Sequence, residues 1–340
     1  MTINTYIIAE IGNNHNGSVD KAVELINKAA EAGADAVKFQ SFRGLDIVTP
    51  KVRADEYPGW NVSGYEYWYQ FLDSIALPLA DHQKVIDHAH DCGLDFITTP
   101  VSPAIVDLLE RMTGIDTYKV ASMDLNNFGL LHAIAATDKK VILSTGMGAL
   151  SEVDRAVDIL GKDDLSILHC VSDYPLEPSN AALNNLNVLK ERFPRGQVGF
   201  SDHSLGHELI IAAVAMGARV IEKHVTLDRN DPSPAEHHFA LEPDEFAAMI
   251  KWVRSIDENL SISSWQRSSN EGEGRLKFRR SFHYNRDLPS GQVVDEDDLL
   301  FTRPGDGIGY EDLSSLVGRP LCEKREAFAP CLISDVVVQE

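Results

Sequence analysis

The chain has 340 residues, 44% of them hydrophobic and 24% charged, a composition that gives room for one large domain and a small one. Its formal net charge of −21 sets long-range repulsion against nucleic acid and against anionic membrane surfaces, so neither is expected as a partner. No apolar run approaches the roughly 20 residues that cross a bilayer, and no basic-then-apolar leader opens the sequence.

Short β-rich runs alternate with amphipathic stretches from the start to about residue 256. The strand candidates are 5–10, 36–40, 95–99, 117–122, 141–145, 165–170, 197–202 and 219–224. Helical patterns fall at 19–32, 82–92, 102–112, 151–160, 181–192, 205–216 and 243–256. Ser18 and Ser151 are candidate N-caps, and Gly33, Gly93 and Gly217 stop helices just before the next strand. Eight strand–helix repeats in about 260 residues predict a (β/α)8 TIM barrel. An open doubly wound sheet is the runner-up, but the first turn, EIGNNHNG, lacks the GxGxxG spacing that such a sheet usually carries there.

The second connection, 41–94, is much longer than the others. Its aromatic tract YPGWNVSGYEYWYQF predicts either a lid or an added packing layer at one end of the barrel. Residues 1–258 are thus read as the barrel domain and the polar stretch 259–279 as a linker. Residues 280–340, with short β-like runs between PSG, PGDGIG and AP turns, are read as a small β-clip domain that needs a docking surface. The cysteines Cys92, Cys170, Cys322 and Cys331 form neither a CxxC pair nor a disulfide framework, so reduced thiols in a cytoplasm are expected.

Barrel chemistry sits at the C-terminal ends of the strands. Read in order, those ends carry Glu10 with Asn14 to Asn16, Lys38 and Gln40, Thr98 and Thr99, then Lys119 and Ser122. They continue with Ser144 and Thr145, Ser172 and Tyr174, Ser201 to His203, and Glu222 to His224. Lys38 and Lys119 among Thr99, Ser122, Ser144 and Ser201 suit a phosphate or carboxylate. His203 and His224 end consecutive strands, so both imidazoles can reach one divalent metal and leave positions open for Lewis-acid work. Glu10, Asp124 and Glu236 are candidate carboxylates for proton handling or hydroxyl recognition, with His15 either contributing or packing in its loop. DEDD at 295–298 reads as a solvated helix start, Cys170 as a buried strand residue, and His237 and His238 as surface loop residues.

The motifs AEIGNNHNG, GADAVKFQ, STGM, HCVSDYP, GFSDHSLG, IEKHVTLD and FALEP, followed by RRS and TRPGDGIG, resemble those of the sialic acid synthase family. That family includes legionaminic and pseudaminic acid synthases and a spore-coat polysaccharide relative. The resemblance covers nearly the whole chain, and its last two motifs resemble the antifreeze-like (SAF) domain of the family. It implies condensation of phosphoenolpyruvate with the open-chain aldehyde of an N-acetylmannosamine-like sugar, giving a nine-carbon 2-keto acid and phosphate, with Mn2+ or Mg2+ required.

By the same resemblance His203 and His224 would hold the metal, and Lys38, Thr99, Lys119, Ser122, Ser144 and Ser201 would hold phosphoenolpyruvate. Glu10, Gln40, Ser172, Tyr174 and Glu236 would face the sugar. Arg303 would reach it from the SAF domain of a partner chain in a domain-swapped homodimer. The chain departs from the family pattern on the sugar side: SMD stands where SGE is common, SPAEHHFALEP where GPDH precedes FSLEP, and VSDYP where TNIYP is frequent. Asp124 thus replaces a longer carboxylate, Glu236 an aspartate and Ser172 an asparagine. Another phosphoenolpyruvate-dependent ulosonate synthase or barrel aldolase is the alternative enzyme, and a non-enzymatic carbohydrate-binding barrel is the alternative of another class.

Overall fold

The structure, a computed structural model, describes residues 3–56, 64–162, 164–233, 235–262 and 264–337. Eight parallel strands close into a barrel in chain order: β1 (Tyr6–Gly12), β2 (Ala36–Ser41), β3 (Asp95–Pro100), β4 (Thr117–Val120), β5 (Lys140–Ser144), β6 (Leu165–Cys170), β7 (Gln197–Asp202) and β8 (Val220–His224). The ring is sealed where β1 pairs with β8, placing Glu10 beside His224. This is the expected (β/α)8 architecture.

The helices of this part of the chain are α1 (Val19–Ala32), α2 (Gly44–Ile47), α3 (Trp68–Ile75), α4 (His82–Asp91), α5 (Pro103–Leu109), α6 (Phe128–Ala135), α7 (Leu150–Leu160), α8 (Asn185–Arg192), α9 (Glu208–Ala215) and α10 (Pro243–Leu260). Ser18 caps α1 as expected, its hydroxyl accepting from the Lys21 amide, and Gly33 ends the helix in the left-handed region at φ +90°. Ser151 does not cap: α7 starts one residue earlier, from Ala149, so Ser151 lies inside the first turn. In the long second connection Trp68, Phe71, Leu72 and Ile75 of α3 are buried, so its described part forms a packing layer. There α2 and α3 approach so closely that a Cβ on Gly44 would lie 2.2 Å from the Tyr69 carbonyl oxygen. Residues 57–63 of the aromatic tract lie outside the described residues.

Side chains alternate across each strand, and this alternation builds the barrel interior in layers. Ile8, Ala36, Ile97, Ile142, Leu168 and Val220 form an apolar plug. Two residues further along each of those strands stand Glu10, Lys38, Thr99, Ser144, Cys170 and Glu222, all of which line one cavity together with Lys119 and Ser201. Intervening residues face the helices instead. Thr98 bonds Ser41 there, at 2.6 Å, and Lys223 is fully buried against Asp202, at 2.7 Å. Thr98, Asp202 and Lys223 therefore belong to the outer shell, contrary to the expectation that every polar strand end points into the mouth.

The chain divides into two compact units between Ser261 and Ile262. The stretch read as a linker contains a helix, α11 (Ser269–Phe278), started by a capping box. Ser268 Oγ accepts from the Glu271 amide while Glu271 Oε2 accepts from the Ser268 amide. Beyond it β9 (Ser281–Tyr284) pairs antiparallel with β10 (Leu299–Thr302) over a small core that includes Tyr284, Leu288, Leu316 and Leu321. The DEDD run is a single 3-10 turn capped by Asp295, and Asp298 is not solvated but buried, 2.8 Å from Arg286 Nε. All four cysteines are free. Among the described residues no helix is long and apolar enough to cross a membrane.

Candidate active site

The C-terminal mouth of the barrel holds a cavity of about 280 Å³. Its floor is the charged layer just above the apolar plug. Lys38 Nζ lies 2.8 Å from Glu10 Oε2, 3.9 Å from Glu222 Oε2 and 3.2 Å from Thr99 Oγ1. Lys119 Nζ donates to Ser144 Oγ at 2.6 Å and sits 3.7 Å from Glu222 Oε2, whose other oxygen accepts from Ser201 at 2.7 Å. Lys38, Lys119, Glu10 and Glu222 are all buried.

Burial opposes every one of these charges, so their neighbours decide the outcome. Desolvation works against the Lys38 ammonium, but Glu10 and Glu222 outweigh it and hold it above its ordinary value. Desolvation prevails at Lys119, which is pulled down despite Glu222. It also prevails at Glu10, whose carboxyl is raised although Lys38 opposes the shift. Glu222 is held ionised below the usual range, because Lys119 and Lys38 together overcome its burial. The floor is thus two cations balanced by carboxylates that share them.

The upper layer is two residues further on. His203 Nδ1 lies 2.9 Å from the Val171 carbonyl oxygen, and with Nδ1–H donating there the other ring nitrogen carries the lone pair. The His203 and His224 rings are 5.3 Å apart, as adjacent strand ends allow. His224 is held well below its ordinary value by burial and then by the facing His203, so its imidazole is neutral. Glu236 Oε2 is 3.3 Å from His224 Nδ1, and neither atom makes a hydrogen bond. Burial and the neighbouring Glu10 push the Glu236 carboxyl up to about 7.

Two imidazoles stand here beside an orphaned carboxyl oxygen. Burial pulls His203 down, but Cys170, the Val171 carbonyl and Glu222 outweigh it and hold the ring above its ordinary value. Once His203 gives up its proton, the two rings and the carboxyl form a donor set that fits a divalent ion of the Mn2+ or Mg2+ kind. Among the described residues no three His, Cys, Asp or Glu side chains cage an ion unaided. An ion held here would keep positions for water or substrate.

Of the residues predicted for the site, Glu10, Lys38, Gln40, Thr99, Lys119, Ser122, Ser144, Ser172, Tyr174, Ser201, His203, His224 and Glu236 all line this cavity. Asp124 does not. Its Oδ1 accepts from Asn127 Nδ2 at 2.9 Å at the start of α6, and Met123 takes the lining position beside it. Arg303 belongs to the second unit, its guanidinium 5.8 Å above the Phe278 ring.

Asn14 and Asn16 donate to Val225 O and Ser233 Oγ in the connection that follows β8, while His15 is fully buried and stacks on Phe39. His237 is buried too, bonded to Thr226 Oγ1 at 2.7 Å, which corrects its reading as a surface residue. Glu222 was on the strand-end roster without a role. The signal that marks it is its period-2 relation to His224 inside the buried strand VIEKH.

The comparisons with known proteins agree with this geometry. The chain is 35% identical over 320 residues to an N,N'-diacetyllegionaminic acid synthase from Campylobacter jejuni, covering 93% of this chain and 95% of that protein. It is similar to the crystal structure of an N-acetylneuraminic acid synthetase from Leptospira borgpetersenii in complex with citrate, at 30% identity and a TM-score of 0.71, over 80% of this chain and 90% of that one. It is also similar to the spore coat polysaccharide biosynthesis protein SpsE of Bacillus subtilis, at 30% identity and a TM-score of 0.64, over 99% and 96% of the two chains. Residues 25–264 match the NeuB family, and with a closed barrel and a layered mouth of this composition the chain belongs to the NeuB family.

Proposed function

We propose that the chain condenses phosphoenolpyruvate with the open-chain aldehyde of an N-acetylmannosamine-like amino sugar, giving a nine-carbon 2-keto acid and inorganic phosphate. The observation that carries this reading is the stacking of two chemistries in one cavity. A floor of buried lysines and hydroxyls suits a trianionic enol phosphate, and a ceiling of two imidazoles and a carboxyl suits an aldehyde oxygen.

Lys38, Thr99, Lys119, Ser122, Ser144 and Ser201 would bind the phosphate and carboxylate of phosphoenolpyruvate and fix its C3 toward the acceptor. Glu10, Gln40, Ser172 and Tyr174 would orient the sugar. His203 and His224 would hold a divalent ion, which when bound polarises the aldehyde. C3 of the enol then bonds to the aldehyde carbon, water adds at C2, and the tetrahedral carbon expels phosphate by C–O cleavage. Glu236, its carboxyl pushed up to about 7, is protonated in part of the molecules at neutral pH, and in that form would give its proton to the alkoxide that forms from the aldehyde oxygen.

The second unit reads as an SAF-like domain that completes the site of a partner chain through Arg303. Leu276, Phe278, Val293, Tyr310 and Phe328 are large apolar residues left exposed on it, as a docking unit would need.

The reaction is tested by phosphate release from phosphoenolpyruvate with Mn2+, a panel of amino-sugar acceptors and a no-sugar control. Release that depends on an acceptor and stops on adding EDTA is expected. Release without any acceptor, or none with any, overturns the reading.

A further inference from the structure

Asp202 and Lys223 face away from the cavity, yet each is the chain neighbour of a histidine that lines it. The register of β7 with β8 runs through Phe200–Ile221, Ser201–Glu222 and Asp202–Lys223 and stops there. His203 and His224 each stand one residue past the last paired position. That ladder therefore does not itself set the gap between their rings.

Past its end the chain is held by a buried knot of side chains. Lys223 Nζ donates to Asp202 Oδ2 at 2.7 Å and to the Ser204 carbonyl oxygen at 2.5 Å. These acceptors belong to the residues immediately before and after His203. Asp202 also closes the turn around His203. Its Oδ1 accepts from the Ser204 amide at 3.0 Å, and its Oδ2 accepts from the Ser204 hydroxyl at 3.0 Å. One ammonium beside His224 thus holds both flanks of His203.

Both charged side chains are wholly buried. Taking two such charges out of water costs about as much as their attraction returns, so net stability is not what the pair supplies. What it supplies is position. Tied further to Ser204, the pair admits one arrangement, because any slip leaves a buried charge unmet.

We propose that Lys223 is a positioning residue for the divalent ion: through Asp202 and Ser204 it fixes His203 against His224 at the separation that one ion requires. The proposal rests on the reading of those two histidines as ion ligands. It gives Lys223 no part as acid, base or ligand.

The test is Mn2+ binding by the full chain without substrates, read by electron paramagnetic resonance of the free ion. Phosphoenolpyruvate affinity and the melting temperature, both in EDTA, are measured beside it. Asp202→Asn combined with Lys223→Met removes both charges at once, so neither is left buried alone. Ser204→Ala, which removes one hydroxyl and no charge, is the milder second variant. The double variant should bind Mn2+ about 10- to 100-fold more weakly, the range for residues that orient metal ligands, with phosphoenolpyruvate affinity within about twofold of the wild type. Ser204→Ala should show a smaller loss of the same kind. A role in stability alone would loosen floor and ceiling together. Unchanged Mn2+ affinity in the variants, or a loss matched by an equal loss for phosphoenolpyruvate, overturns the clamp. If the double variant does not fold, Ser204→Ala decides by the same two affinities. A wild type that binds no Mn2+ overturns the reading of the histidines beneath it.

Discussion

Glu222 raises both of the lysines it faces, and only one of them ends above its ordinary value. By sharing one carboxylate between Lys38 and Lys119, at 3.9 and 3.7 Å, it allows two ammonium groups to be buried in one cavity before any substrate arrives. Lys38 keeps a second counter-charge in Glu10, whereas Lys119 has only hydroxyl help from Ser144 and is the weaker base. Lys38 is therefore the better fixed of the two charges that meet the phosphate. Lys38→Ala should weaken phosphoenolpyruvate binding by about 100-fold or more, the order expected for one charge-assisted contact in a site closed to water. Binding titration without acceptor checks this, and an unchanged affinity would take Lys38 out of the anion site. At this scale the sequence was legible wherever strand alternation was followed. Thr99 and Glu222 point inward and Thr98 and Lys223 outward because neighbours on a strand face opposite ways, and no inspection of single residues could separate them. Asp124 was misplaced because the chain leaves β4 in a 3-10 turn, which breaks the alternation and turns Met123 to the cavity.

Elements whose termini are marked by a cap, a glycine or a change of period were readable. The pattern for α1 matches its observed span, Val19–Ala32, because Ser18 and Gly33 bracket a clean apolar stripe. The helix α11 was hidden. It buries none of its residues and has two glycines, so no apolar stripe shows, and only the Ser268–Glu271 box marks its start. Asp298 was hidden for a similar reason, since a run of four acids gives no hint that one of them is inside. Burial alone would raise its carboxyl, but the Asp295 amide and Arg286 outweigh that and hold it below its ordinary 3.8. A carboxyl depressed by folding adds stability that is present above 3.8 and is withdrawn as the pH falls through the folded value. Asp298→Asn should accordingly lower the melting temperature at about pH 5, with the gap to the wild type narrowing as the pH falls below 3.8. A gap that does not change with pH would mean that the ion pair with Arg286 is not what stabilises this turn.

For the whole molecule, the barrel was evident from eight repeats, but the sequence of one chain does not say which molecule supplies which part of the site. If Arg303 acts in a partner's cavity, two inactive variants can repair each other. Lys38→Ala and Arg303→Ala chains, each inactive alone, should regain about a quarter of wild-type phosphate release after co-refolding, because half the dimers then carry one intact site of two. Mixtures that stay inactive while still forming dimers would show that Arg303 serves its own chain. The layered mouth has one more consequence. Of the groups that would grip the enol phosphate, Lys38, Thr99, Lys119, Ser144 and Ser201 lie on hydrogen-bonded strands, where a change of length would break the ring, whereas Ser172, Tyr174 and Glu236 ride on connections that tolerate insertion and replacement. A lineage built on this plan can exchange its acceptor one loop at a time while its donor chemistry is inherited intact.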